Sequence, residues 1–298
     1  MIDSIKEMKI SLPQRSGVPQ TSIFAKIFTQ DNNALGQRDV MILVPGGPGN
    51  DYTMYDTPEN SIAKSLLPMV DIILFDPRGC GSSEKSPVEF CSLEHYIDDI
   101  EAIRLHFNLT ANKFIVFGQS YGAIAAIGYA IKYANNLKKL FLIGGVVCSE
   151  FLDEAKQYLE KIGTPEQIRF AEKIWHGSFT GAQDEVAEYY KVMSPLYSYS
   201  FVPSENVPLE IPCNVDILNY GFGHFLKEFD FRPDLLKIKC STLILWGENE
   251  WTMLRNQIQQ LHHGIQHSQL ITYKECGHML WIDQWDRFLK DAFVFLKT

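Results

Sequence analysis

The chain lacks any excess of positive charge. Its 298 residues hold 27 Lys and Arg against 36 Asp and Glu, a net charge of −9. An acidic surface repels polyanions, which argues against nucleic acid or an anionic membrane as the main partner. Long hydrophobic runs are missing too, and no apolar stretch approaches the length of a membrane span. Cysteine is sparse. Cys80, Cys91, Cys148, Cys213, Cys240 and Cys276 are scattered with no Cys-x-x-Cys pair, so reduced thiols are expected rather than a disulfide framework. The first residues, Met1 to Glu7, show no basic stretch followed by an apolar core. No secretory signal is therefore expected, and together with the thiols this reads as a cytoplasmic protein. There is no internal repeat and no low-complexity segment. What is present is a globular composition, 46% hydrophobic and 21% charged, long enough for one large domain or a domain with an insertion.

The organising stretch is Phe117-Gly118-Gln119-Ser120-Tyr121-Gly122. An apolar run from Phe114 leads into Gly-x-Ser-x-Gly, and a small-residue helical stretch from Ala123 to Ala130 follows. That context predicts a strand, a sharp turn and a helix, with the Ser120 hydroxyl standing clear of the backbone. Around it the pattern alternates. Met8–Leu12 and Ser22–Phe28 read as antiparallel strands, and Val40–Val44 and Val70–Phe75 as strands buried on both faces. A short helix is expected from about Glu59 to Pro68. From Ser92, a good N-cap, apolar residues recur at helical spacing to Phe107. Leu140–Ile143, Thr242–Trp246 and Gln269–Tyr273 are further strands, with helices over Trp251–His263 and Trp281–Leu296. Alternating strands and helices imply an α/β fold with a mainly parallel sheet covered on both faces. The alternation breaks between Cys148 and Pro233. Helical stretches there (Glu150–Lys161, Pro165–Trp175, Asp184–Lys191) give way to an irregular segment from Pro195 to Phe225, rich in Pro and aromatics. We read residues 148–233 as a cap inserted into a core formed by 1–147 and 234–298.

A serine hydroxyl is a weak nucleophile until an imidazole takes its proton. The imidazole in turn needs an anion to fix its tautomer and stabilise its charged form. On a strand–turn–helix scaffold these follow in the order Ser, acid, His. The strand ending at Trp246 is followed by Gly247-Glu248-Asn249-Glu250-Trp251, and the strand ending at Tyr273 by Lys274-Glu275-Cys276-Gly277-His278. His278 is then the expected base and Glu250 its carboxylate, with Glu248 as the alternative. His262, His263 and His267 read as a solvated helix end, because no ligand spacing with nearby carboxylates stands out. An oxyanion hole needs two backbone N–H groups. Tyr121 follows the nucleophile. The second donor is expected from Pro45-Gly46-Gly47-Pro48-Gly49, with Gly47 the choice. A phosphate-binding loop is excluded there, since no Gly-Lys-Ser/Thr follows and Pro48 interrupts the donors.

These motifs together resemble the proline iminopeptidases, α/β-hydrolases with a helical cap that release an N-terminal residue, often proline, from peptides. The resemblance rests on Pro-Gly-Gly-Pro-Gly (45–49), Asp-Pro-Arg-Gly-Cys-Gly-Ser-Ser (76–83), Gly-Gln-Ser-Tyr-Gly (118–122), the Gly-x-x-acid turn (247–250) and Gly277-His278. It covers the whole core in the right order. It implies an α/β-hydrolase fold with a mostly helical cap and a triad of Ser120, Glu250 and His278. It also implies an oxyanion hole at Gly47 and Tyr121, and a bracing loop around Asp76 and Arg78. Three positions depart from the family. Pro45 stands where the family has His, and Glu250 where it usually has Asp. Trp251 stands where several relatives place a glutamate for the substrate's α-amine, and the stretch Leu218 to Gly223 holds no acid.

Two enzymatic readings follow. One is an aminopeptidase of the proline-iminopeptidase type, acting on short peptides or aminoacyl amides. The other is a carboxylesterase or amidase for small hydrophobic substrates, with Trp251, Tyr220 and Phe222 as candidate contacts. A non-catalytic ligand-binding relative would be expected to have lost part of the triad, and haloalkane or epoxide chemistry would want Asp at position 120. Neither metal nor organic cofactor is implied. The expected partner is a small molecule or short peptide, and no oligomeric state is implied. If an amine site exists, Glu150, Asp216, Glu228 or Glu248 would have to supply its charge.

Overall fold

The structure is a computed structural model that describes residues 4–30, 34–58, 60–181, 183–202 and 212–298. Its centre is a sheet of β1 (Ser4–Ser11), β2 (Ser22–Thr29), β3 (Val40–Val44), β4 (Asp71–Phe75), β5 (Phe114–Gln119), β6 (Lys139–Ile143), β7 (Ser241–Gly247) and β8 (Ser268–Tyr273). The spatial order is β1-β2-β4-β3-β5-β6-β7-β8. β1 pairs with β2 antiparallel, as does β2 with β4, and the pairings from β4 through β8 are parallel. Parallel strands need crossovers, and here they are helices. α2 (Leu93–His106), α3 (Tyr121–Lys132) and α8 (Arg255–Gly264) cover one face, and α1 (Ile62–Leu66), α9 (Leu280–Asp283) and α10 (Trp285–Lys297) the other.

The period of the strands sorts the core into two layers. Val40, Ile42 and Val44 of β3 join Phe114 and Val116 of β5 under α2 and α3. Met41 and Leu43 join Ile115 and Phe117 against α1 and α10. Ser92 caps α2 by accepting from the His95 N–H. Among the described residues no helix is long and apolar enough to cross a membrane.

Between β6 and β7 the chain leaves the sheet and forms α4 (Phe151–Ile162), α5 (Pro165–Trp175), α6 (Gln183–Tyr197) and α7 (Val215–Gly223). It departs and returns through one neck. The Ser149 N–H donates to the Phe229 carbonyl at 2.9 Å and the Phe231 N–H to the Val147 carbonyl at 2.7 Å. The insertion has its own apolar cluster, built from Leu159, Phe170, Ile174, Tyr189, Met193 and Leu218, which Trp251 of the core joins.

Four elements differ from the sequence reading. α6 does not stop near Lys191 but runs through Pro195 to Tyr197, because Tyr189, Tyr190 and Met193 are buried on one face and packing overrides the proline. α7 occupies what read as irregular chain, with the Asn214 side chain capping it at Asp216 and Ile217. The cap and the apolar spacing at Ile217, Leu218 and Gly221 were visible, but the glycines and aromatics masked them. Residues 251–254 are loop, and α8 begins only at Arg255. The last helix is broken at Gln284, whose backbone leaves helical geometry at φ −141° and ψ 65°. The short helix expected from Glu59 is Ile62–Leu66, and Glu59, Pro203 and Pro208 lie outside the described residues.

The turn after β5 is tight enough to dictate its residues. A Cβ on Gly122 would lie 2.1 Å from the Val44 carbonyl oxygen, and one on Gly118 2.3 Å from the Gly122 oxygen. Both groups are backbone, so relief would require β3 and α3 to separate. Gly122→Ala is therefore expected to lower stability by about 2–3 kcal/mol or more, read as a fall in the urea midpoint at constant slope.

Candidate active site

Ser120 holds φ 58° and ψ −127°, a backbone conformation that non-glycine residues avoid. β5 on one side and the start of α3 on the other enforce it, and the Ser120 N–H is held at 3.2 Å by the Ile143 carbonyl of β6. The side chain therefore projects at the carboxyl edge of the sheet, at a helix N-terminus.

The loops after β7 and β8 are fastened to each other. The Glu248 N–H donates to Tyr273 O and the Asn249 N–H to Cys276 O, both at 2.8 Å. Gly247 makes the approach possible, since a Cβ there would meet the Cys276 oxygen at 2.4 Å. This clasp brings Glu250 to His278, whose Nδ1 lies 2.6 Å from Glu250 Oε2. The other carboxylate oxygen, Oε1, accepts from the Thr252 N–H at 2.8 Å and the Thr252 hydroxyl at 3.0 Å. Burial alone would raise the Glu250 carboxyl. The imidazole of His278 and the N–H groups of Thr252 and Met253 outweigh it and hold the group below its ordinary 4.5. The carboxylate is thus ionised and can only accept, so His278 donates from Nδ1 and leaves Nε2 as the acceptor. Glu248 is exposed on the outside of the same turn.

Gly47, Ser120, Tyr121 and His278 line one cavity. The Gly47 loop is held from behind. Tyr55 donates to Val44 O at 2.9 Å and Tyr96 to Pro45 O at 3.0 Å, and the Tyr121 ring stacks on Tyr96 with centroids 5.4 Å apart. Arg78 grips the buried Asp99 through Nε at 3.1 Å and Nη2 at 2.8 Å. Asp76 accepts from the N–H groups of Tyr52 and Ser82 at 3.1 and 2.7 Å.

The rest of the wall comes mostly from the insertion. Trp175, Phe179, Tyr189, Tyr190 and Tyr197 line it together with Phe222 and Trp251. Trp251 is buried, its ring 6.5 Å from Trp175 and edge-on to Tyr197 at 5.6 Å. Tyr220 is not part of the lining. It packs on His224 and Phe225, because Leu218 and Phe222, four apart, share the inner face of α7 and position 220 falls on the other side. Glu228 and Asp216 are exposed, Glu248 faces outward, and Glu150 pairs with Arg232 at 3.0 Å. None of these carboxylates lines the cavity. Sequence reasoning missed Tyr189, Tyr190, Tyr197 and Thr252. Only Thr252 carried a local signal, a hydroxyl two residues past a buried acid.

The fold and this arrangement define a family. A family model described as the alpha/beta hydrolase fold matches residues 39–284, and the chain belongs to that family. The chain is 26% identical over 279 residues to a proline iminopeptidase of Thermoplasma volcanium, covering 88% of this chain and 89% of that protein. It is 25% identical over 281 residues to a 2-hydroxy-6-oxononadienedioate/2-hydroxy-6-oxononatrienedioate hydrolase of Escherichia coli, covering 88% and 86%. A solved α/β fold family hydrolase from Bacillus anthracis superposes with a TM-score of 0.76 at 18% identity, covering 98% of both chains. The α/β-hydrolase architecture and the resemblance to proline iminopeptidases are both borne out.

The depressed Glu250 carboxyl has a consequence for acid stability. A lowered native pKa contributes stability above the unfolded value and loses it as pH falls through the native one. The stability difference between wild type and Glu250→Gln should therefore be full above about pH 5 and shrink as pH falls below about 4.5. Glu248→Gln should stay within about 0.5 kcal/mol of wild type throughout. Urea melts across pH 3.5–7 check both.

Proposed function

We propose that this chain is a serine hydrolase that cleaves uncharged, largely apolar acyl esters or amides through an acyl-enzyme. The observation that carries the substrate class is the cavity wall: among the described residues lining it, His278 is the only one with an ionisable acid or base of the charged kind. A protonated amine placed there would give up its hydration with no anion to replace it, which costs several kcal/mol.

In this reading Ser120 Oγ attacks the acyl carbon while His278 Nε2 takes its proton. Glu250 steadies the resulting imidazolium through Nδ1. The N–H groups of Gly47 and Tyr121 receive the charge that develops on the carbonyl oxygen. His278 then passes the proton to the leaving oxygen or nitrogen, and the bond from the acyl carbon to it breaks. Water, deprotonated by the same imidazole, attacks the acyl-enzyme and releases the acid and free Ser120. Residues 148–233 act as a cap that supplies the apolar wall and shields the acyl group from bulk water.

A second reading keeps the proline-iminopeptidase activity. The shared motifs and the relative from Thermoplasma volcanium favour it. It would require an amine site built without a lining carboxylate.

Turnover decides between them. Ser120→Ala should abolish hydrolysis with the fold intact, and retained hydrolysis would remove the nucleophile assignment. Glu250→Gln should cost far more activity than Glu248→Gln, because only Glu250 contacts the imidazole. For wild type, kcat/KM on short-chain p-nitrophenyl esters should exceed that on prolyl arylamides by roughly 100-fold or more, the equivalent of about 2.7 kcal/mol. N-acetylating an aminoacyl arylamide should raise its turnover. If acetylation abolishes it, the amine is recognised and the aminopeptidase reading holds.

A further inference from the structure

The loop that carries His278 is bound to the insertion as well as to β7. The Met279 N–H donates to Tyr197 O at 2.8 Å, and the Tyr197 ring lies edge-on to the His278 imidazole with centroids 5.3 Å apart. Gly277 passes so close beneath that a Cβ would meet the Tyr197 oxygen at 2.8 Å. One side chain spans this junction. Asp283, at the end of α9, accepts through Oδ2 from the Gly277 N–H at 2.7 Å and the Tyr199 N–H at 3.1 Å. Through Oδ1 it accepts from the Ser198 hydroxyl at 2.6 Å, and from the Ser200 N–H and hydroxyl at 3.0 and 2.8 Å. A carboxylate has about four lone-pair sites. Five donors saturate it, with four of them from the turn that ends α6 and the fifth from the residue beside the base.

Resting on the serine-hydrolase reading above, we propose that Asp283 is a positioning residue, the latch through which the seating of the cap sets the imidazole of His278. The chemistry fits the demand. Glu250 and, more weakly, the Thr252 hydroxyl hold Nδ1, but contacts at one nitrogen leave the ring free to pivot about it. The Tyr197 ring limits that pivot only while the end of α6 is held against Gly277. Asp283 holds it there, with hydrogen bonds to a charged acceptor that are stronger than neutral ones. The same turn carries the Tyr197 hydroxyl, paired with that of Tyr189 at 2.5 Å in the cavity wall. A substrate pressing on that wall is thus mechanically connected to the base. Nothing in the Gly-His motif signals this. Asp283 lies five residues past His278, and its partners are some 80 residues earlier in the chain.

Steady-state kinetics on p-nitrophenyl acetate, with thermal melting alongside, test the latch. Asp283→Asn keeps the shape but turns one acceptor oxygen into a donor that faces other donors. The expected result is a kcat lower by roughly 10- to 100-fold with KM little changed. Asp283→Glu, which restores the carboxylate, should recover part of kcat. A brace with no bearing on the imidazole would lower the melting temperature and leave kcat of the folded enzyme in place, and that outcome overturns the proposal. Should Asp283→Asn fail to fold, the Ser198→Ala/Ser200→Ala double variant removes only the two cap-side hydroxyls and leaves the Gly277 contact. An unchanged kcat in that variant also overturns the latch. Ser120→Ala on the same substrate separates the two levels. Turnover that survives it removes the serine reading and the latch together. Serine-dependent turnover with an unaffected Asp283→Asn variant removes the latch alone.

Discussion

Gly122 lies against the carbonyl of Val44 with no room for a side-chain carbon, and the rest of the molecule is arranged around that closeness. The contact forces α3 to start immediately at the end of β5. It puts Ser120 in a strained conformation that only a rigid surround can sustain. It also sets the loop after β3 directly beside the serine, so Gly47 lines the same cavity as Ser120 and Tyr121. A parallel sheet is the natural host for such a site. Successive strands all present their carboxyl ends, and the connections that follow them, on one edge.

Charge is buried around this edge, and its partners oppose the cost of burial to different degrees. Burial pushes the Asp99 carboxyl up, with Arg78 opposing it. Burial likewise lifts Asp76 to about 6 against two backbone donors. Glu250 is the case in which the partners win outright. The difference is functional in form. Arg78 and Asp99 brace a loop, whereas the Glu250 charge points at an imidazole whose other nitrogen stays free. Hydroxyls of Tyr55 and Tyr96 hold the loop after β3 by the carbonyls of Val44 and Pro45.

Ser120, Glu250 and His278 and most of the cavity wall come from different parts of the chain. Ser120, His278 and Glu250 sit on core loops fixed by strand ends. Most of the cavity wall comes from α5, α6 and α7 with Trp251, and among the described residues that part carries no Asp, Glu, Lys or Arg. Trp251 belongs to both, since it follows Glu250 in sequence and packs in the apolar cluster of the insertion. Replacing an anion by an indole at that point removes an ion-pair partner and adds packing surface.

The elements legible in the sequence were those encoded locally. β3, β4 and β5 are continuous apolar runs, Ser92 announces α2, and the serine motif sits where strand gives way to helix. The loops holding Glu250 and His278 follow from counting strands. Even so, the choice between Glu250 and Glu248 was open, since two acids two residues apart differ only in which one a turn directs inward. The course of α6 past Pro195 and the presence of α7 were hidden. Their apolar faces are buried in a cluster shared with α5 and Trp251, and proline and glycine dominate any short-range reading. Asp283 was invisible for a related reason: four of its five donors are distant in sequence. The sequence by itself therefore determined the family, the order of the chemical groups and the strand that carries each. Long-range folding decided which carboxylate meets the imidazole, which aromatics line the cavity and what ties the insertion to the loop of His278. These depend on long-range packing and hydrogen bonds that no local pattern records.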